Sequence, residues 1–203
     1  MRKMKIVMPI VVLGLAMVMG CAKPPQPEID AAKAAVQAAS DAGANDYAAA
    51  SLRDAQNAVA ALDAEVAAQA KKFALMRSYK QASTLAAQAK SAGEKAATDA
   101  TAGKEKAKNE AEALLAQAQQ AMEEANQMLA TAPAGKGNKA EIDAMKNDMA
   151  TVAQNITDGQ AAHTAGRYLQ SKAKFEAALG TANNVKAQVE AAKAMKAGAK
   201  KKS

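Results

Sequence analysis

Alanine sets the terms for this chain. Between Cys21 and Ser203 it supplies 57 of 183 residues, while Leu, Ile, Val and Phe together supply 20. Alanine is the best intrinsic helix former, and it lets helix backbones approach closely while burying little area. A share of large apolar residues this low accompanies disorder when net charge is high. Here the charge is balanced and the apolar residues recur at helical spacing, which predicts an all-α fold of slim, elongated antiparallel bundles.

The formal net charge of +7 misleads. Of 27 Lys and Arg, three lie before residue 21 and five are Lys193, Lys196, Lys200, Lys201 and Lys202, which leaves 19 against 20 acids in the body. A nucleic-acid role lacks its electrostatic footprint. With no Trp, two Phe and three Tyr, a base-stacking platform is missing as well.

The first twenty residues read as a cleavable secretory signal. Arg2, Lys3 and Lys5 precede an uncharged apolar run, Ile6 to Met19. A spanning helix needs about 20 apolar residues, so this run is too short to remain as an anchor and fits a signal h-region. Val18-Met19-Gly20-Cys21 resembles the lipobox of bacterial lipoproteins. That resemblance implies cleavage between Gly20 and Cys21, a diacylglyceryl thioether on the Cys21 sulfur and a further acyl chain on its freed amine. One acyl chain binds only reversibly, whereas two or more hold durably. Cys21 is the sole cysteine, so no internal disulfide can form. Ala22 stands where Asp would retain such proteins at the inner membrane. The expected location is therefore the periplasmic face of the outer membrane.

Along the body, Ala22 to Pro27 reads as a Pro-rich tether. A first helix is expected from Glu28 to about Ala42, with Ile29, Ala32, Val36 and Ala39 on one face. Gly43 should end it as a left-handed residue, and Asp46 can cap the next start. The second helix carries a heptad of Leu52, Val59, Val66 and Phe73, with Ala55, Leu62, Gln69 and Met76 between. Its register fails at Lys80. Arg77-Ser78-Tyr79 is then a turn with Ser78 as cap, or else the helix continues. The N-terminal bundle is expected over residues 28–90.

A third helix should run from Tyr79 to about Ala130. Between Leu85 and Leu114 it holds nothing apolar larger than Ala, and Gly93 and Gly103 fall inside. Residues 91–113 therefore read as an exposed connecting helix, with a frayed linker as the alternative. Leu115, Ala118, Met122, Ala125 and Leu129 rebuild a seam, which opens the C-terminal bundle, residues 114–195. Thr131 to Asn138 is a loop by composition. Its Gly135-Lys136-Gly137 lacks the spacing of a phosphate loop, and Asn138 with Glu141 reads as a capping box. A fourth helix places Ile142, Met149 and Ile156 beside Met145 and Val152 and ends near Gly166. A fifth places Tyr168, Phe175, Ala182 and Val189 beside Ala178, Val185 and Ala192, then dissolves into a basic tail, residues 196–203. The simplest packing is two three-helix bundles sharing the long third helix.

All three tyrosines precede a small residue three positions on, in Tyr47 to Ala50, Tyr79 to Ala82 and Tyr168 to Ser171. Each reads as a corner that the ring covers while the small residue admits a partner helix. The stretch from Ala165-Gly166-Arg167-Tyr168 to Leu179 is similar to the hairpin of tetratricopeptide repeats, although tyrosine spacings of 32 and 89 depart from the steady 34 of that family. From lipobox to the loop at Pro133, the chain resembles bacterial alanine-rich helical lipoproteins carrying a domain of unknown function. That resemblance implies fold and location and no activity.

No enzyme constellation stands out, and neither a cofactor nor a metal is expected. His163 has no His, Asp or Glu three or four residues away, so an ordinary corner histidine is expected there. Glu123 and Glu124 are adjacent and cannot share a helix face. Met122, Met128, Met145 and Met149 fall at seam positions as core filler. The expected role is a membrane-tethered helical spacer or adaptor whose partner is an envelope protein or cell-wall polymer. The alternative is a helical-hairpin module binding a peptide or envelope polymer. Lys200, Lys201 and Lys202 are candidate contacts for an anionic polymer, by salt-sensitive attraction.

Overall fold

A computed structural model describes residues 23–133 and 139–201, the last four as backbone only. The described residues form helices α1 (Gln26–Asp41), α2 (Ala44–Tyr47), α3 (Ala49–Ala70), α4 (Lys80–Ala130), α5 (Lys139–Thr164) and α6 (Tyr168–Lys201), with a 3₁₀ turn at Ala74–Met76. There is no strand among them. At 51 residues, α4 is about 76 Å long at 1.5 Å per residue, and the other helices pack along it.

Every buried residue of α4 is alanine or glycine: Ala82, Ala86, Ala89, Gly93, Ala96, Ala100, Ala107, Ala111, Ala118, Ala121 and Ala125. The bulk comes from its partners. Along the first half, Ile29 of α1 and Leu62 of α3 meet Ala82, Ala86 and Ala89. Further along, Ala39, Leu52 and Ala55 meet Ala96 and Ala100. Along the second half, Met145, Met149, Val152 and Ile156 of α5 and Ala178, Ala182, Val185 and Val189 of α6 close on Ala118, Ala121 and Ala125. The two three-helix bundles on a shared helix are thus present. The connecting segment 91–113 is helical but not the exposed connector expected from its small residues, because Ala96 and Ala100 are buried against Val36, Leu52 and the alanines of α1, α2 and α3.

The two glycines of that segment mark close approach. A Cβ on Gly93 would lie 2.8 Å from the backbone of Ala35 and Val36 in α1, and one on Gly103 would strike the carbonyl oxygen of Tyr47. On α5, a Cβ on Gly159 would collide with the Phe175 ring.

Helix directions follow from these contacts. α1 runs parallel to α4 and α3 returns antiparallel. α5 runs back and α6 is again parallel to α4, held in register by Lys172 with Glu110, Lys186 with Glu124 and Lys193 with Thr131, each pair 62 residues apart. The chain therefore comes in at one end of α4 and leaves at the other.

Helix ends differ from expectation in places. α1 starts at Gln26, two residues early, with Pro27 in its first turn where a missing N–H is harmless. Gly43 does take the left-handed conformation, φ 89°. Asp46 caps nothing: it sits inside the one-turn α2, and α3 begins after a kink at Ala48 without a side-chain cap. α3 stops at Ala70, so Phe73 and Met76 leave the heptad and are exposed. A turn does precede α4, but it spans 71–79 and Tyr79, not Ser78, is its last residue. α5 ends in a Schellman motif: Gly166 N–H donates to His163 C=O and Arg167 N–H to Ala162 C=O. α6 does not dissolve at 196, and its alanines carry it helically to Lys201. Asn138 and the Gly135-Lys136-Gly137 segment lie outside the described residues.

Candidate functional site

Gly20, Cys21 and Lys202 lie outside the described residues, and Lys200 and Lys201 are placed as α6 backbone only. The described chain begins three residues before α1, at Lys23. The start of α1 is packed at the same end of the molecule as the α3–α4 turn, since Ile29 shares a cluster with Leu62, Tyr79 and Ala82.

That turn is built by polar braces directed inward. Buried Gln69 accepts the Ser78 backbone N–H on Oε1 at 3.1 Å and donates its Nε2 to Glu65. Arg77 reaches back to the end of α3, donating to Lys72 C=O at 2.9 Å and Ala70 C=O at 3.0 Å. A basic side chain on the last carbonyls complements the negative end of a helix dipole. On the same turn Phe73, Leu75 and Met76 face outward, 71, 72 and 73 % exposed.

The two remaining corners meet at the middle of α4. Asp41, Gly43, Asp46 and Tyr47 from the α1–α3 corner face Lys104 of α4 and Gly166, Arg167 and Leu169 from the α5–α6 corner, around an open cleft of about 410 Å³. Two carboxylates stand against two cations, so the lining of the cleft carries no net charge. The tyrosine corners are partly as expected. Ala82 and Ser171 are buried under partner helices, but Ala50 is exposed, because the kink at Ala48 turns its face away.

His163 is a corner residue with two neighbours that spacing along the chain could not show. Its ring meets Tyr168 edge-on at 5.0 Å. Its Nε2 lies 3.5 Å from Glu112 of α4 and makes no hydrogen bond. Glu123 and Glu124 do diverge: Glu123 takes Gln127, while Glu124 takes Lys186 and Gln120. Met122, Met128, Met145 and Met149 all sit in or against the second core.

The ion pairs between helices hold their carboxylates below the ordinary range. Lys172 lowers Glu110, Lys186 and then Gln120 lower Glu124, and Lys174 and then Gln154 lower Asp158. Lys95 and Ser51 do the same for Asp99, and Lys172 is raised in turn by Glu110. Among the described residues no group of three His, Cys, Asp or Glu could hold a metal, and no helix is long and apolar enough to cross a membrane.

Fold and site together define an all-α helical bundle organised on one long alanine-faced helix. Comparison with known protein families, curated proteins and solved structures finds no match to this chain.

Proposed function

We propose that this chain is a lipid-anchored envelope protein whose helical body acts as a non-catalytic spacer or adaptor, standing off the periplasmic face of the outer membrane. The observation that carries the reading is the polarity of the body. The Lys23–Pro25 lead-in meets one end of α4, and α6 runs parallel to α4 toward the other end. A lipid on Cys21, five residues before α1, holds the near end to a bilayer, and some 76 Å of helix carries the basic end of α6 away from it. The basic residues that close the sequence, Lys200, Lys201 and Lys202, are the proposed contacts for an anionic envelope polymer or a protein partner.

The mass of the protein isolated from envelope fractions tests the first half. A chain beginning at Cys21 and heavier than its amino acids by the acyl groups is expected, with Cys21→Ala left as uncleaved precursor. A polypeptide starting at Met1 with unmodified mass overturns it. Crosslinking in vivo tests the second half, with partners expected on residues near the end of α6 and not along α1.

A further inference from the structure

We propose that the exposed Phe73–Met76 turn is a bilayer-insertion tip, which enters the same leaflet as the acyl chains and sets the rod upright; the proposal rests on the lipid-anchor reading above. Three observations converge on it. First, Phe73, Leu75 and Met76 form the one cluster of large exposed apolar side chains among the described residues, since Leu169 and Met195 stand apart. Contiguous exposed apolar surface marks a contact with lipid or a partner. The cluster is not a frayed end, because hydrogen bonds from Gln69 and Arg77 tie the turn to the end of α3.

Second, the charge around the tip suits an anionic lipid surface. Lys71, Lys72, Arg77 and Lys80 flank the apolar trio, and no Asp or Glu falls between Glu65 and Glu94. At this end α1 contributes Glu28 and Asp30, α3 contributes Glu65 beside Gln69, and the lead-in contributes Lys23, so five cations stand against three acids. An apolar patch seated about 5–10 Å into the headgroup boundary would bring Lys71, Lys72 and Lys80 level with lipid phosphates, their stems in the apolar layer and their charges in water.

Third, the tip lies where the anchor must be. Tyr79, which closes the turn, packs in one cluster with Ile29 in the second turn of α1. Cys21 precedes Gln26 by five residues, so the chain can carry its Cα no more than about 18 Å from the start of α1 even when fully extended. The far end of α4 is several times more distant. The acyl chains thus hold this turn, and no other corner, against the bilayer. A single lipidated residue on a Pro-rich lead-in leaves the rod free to tilt, and a second apolar foothold beside it removes that freedom.

The test uses the full-length acylated protein in vesicles of phosphatidylethanolamine and phosphatidylglycerol, with and without bromine on the acyl chains. A thiol-reactive fluorophore is placed on S78C, which keeps the backbone N–H that Gln69 holds, or on A130C at the far end. Native Cys21 is blocked by its thioether, so one label per chain is expected. Brominated lipid should quench the residue 78 label several-fold more than the residue 130 label. In an F73S/L75S/M76S background the protein should still float with vesicles, while quenching at 78 falls to the level seen at 130. Flotation with equal, weak quenching at both positions overturns the tip and leaves the anchor standing. A label at 78 shielded from water but untouched by brominated lipid places a protein surface there and also overturns the tip. Two labels per chain with quenching at 78 would mean the anchor is wrong and the tip right. Loss of flotation altogether would end both.

Discussion

Replacing Gly93 by alanine should destabilise this protein, although alanine is the better helix former. Gly93 lies inside α4, where glycine is worse than alanine by about 1 kcal/mol. Against that gain stands a Cβ placed 2.8 Å from the Ala35 carbonyl carbon and the Val36 nitrogen. Neither atom can rotate away, so α1 must retreat by about 0.6 Å to restore ordinary contact. A radial gap of this order forfeits a quarter to a half of each flanking contact, here those of Ile29, Ala32 and Ala39 with α4. Overpacking of this kind costs about 1–3 kcal/mol. Gly180→Ala is the natural comparison, since Gly180 lies inside α6 with nothing within 4 Å of an added Cβ. It should gain about 1 kcal/mol from propensity alone. The propensity gain is common to both, so their difference isolates the packing penalty, about 2 kcal/mol. In thermal unfolding followed by circular dichroism this separates the two melting temperatures by about 4–8 °C. Equal stabilities, or Gly93→Ala the more stable, would refute the close approach of α1 and α4.

Three further outcomes are expected. Ser171 is fully buried with no partner for its hydroxyl, so Ser171→Ala should raise stability by about 1 kcal/mol in urea unfolding; a loss of similar size would mean the hydroxyl has a partner. Gln69→Leu should remove the partner of the Ser78 N–H and speed hydrogen exchange at that amide about 5–150-fold, the equivalent of 1–3 kcal/mol, while amides in the middle of α5 stay protected. For pH, Glu110, Glu124, Asp99 and Asp158 have folded pKa values below their unfolded ones. The unfolded chain therefore takes up protons first, and stability present above pH 4.5 is lost as pH falls through the lowered values. Lys172 is raised, so its contribution holds below pH 10.5 and is lost only above it. Melting temperatures should be flat between those limits and fall on the acid side first for the wild type, less so for Lys186→Ala.

The all-α class and the shared central helix were legible because the seam residues of α5 and α6, from Met145 to Val189, repeat faithfully. The left-handed stop at Gly43 was legible too, since little besides glycine adopts that conformation freely, and so was the end of α5 near Gly166. The stretch from 86 to 113 misled because periodicity weights a residue by its own size. Whether Ala96 or Ala100 is buried depends on Leu52 and Ala39, which lie far off along the chain. Extending the heptad to Phe73 and Met76 failed for a related reason. No Gly or Pro marks the stop at Ala70, and the brace there, Arg77 on the carbonyls of Lys72 and Ala70, is a side-chain-to-backbone contact that hydrophobic periodicity does not register. The pairing of His163 with Glu112 joins different helices, so no local spacing reveals it. The expected lipid attachment at Cys21 and the glycine-rich loop fall outside the described residues, and the exposed turn became visible only once it was placed.

The parallel run of α1, α4 and α6 has a mechanical consequence. A load applied between the first helix and the last acts along the helix axes, so it shears whole interfaces at once and does not peel them turn by turn. Sliding α6 by one heptad would carry Lys172 from Glu110 to Gln117 and Lys186 from Glu124 to Thr131, discarding both charge pairs in a single step. An alanine-faced axle offers little friction of its own, so in this chain those lateral charges and the glycine notches at 93 and 103 are what give it tensile grip.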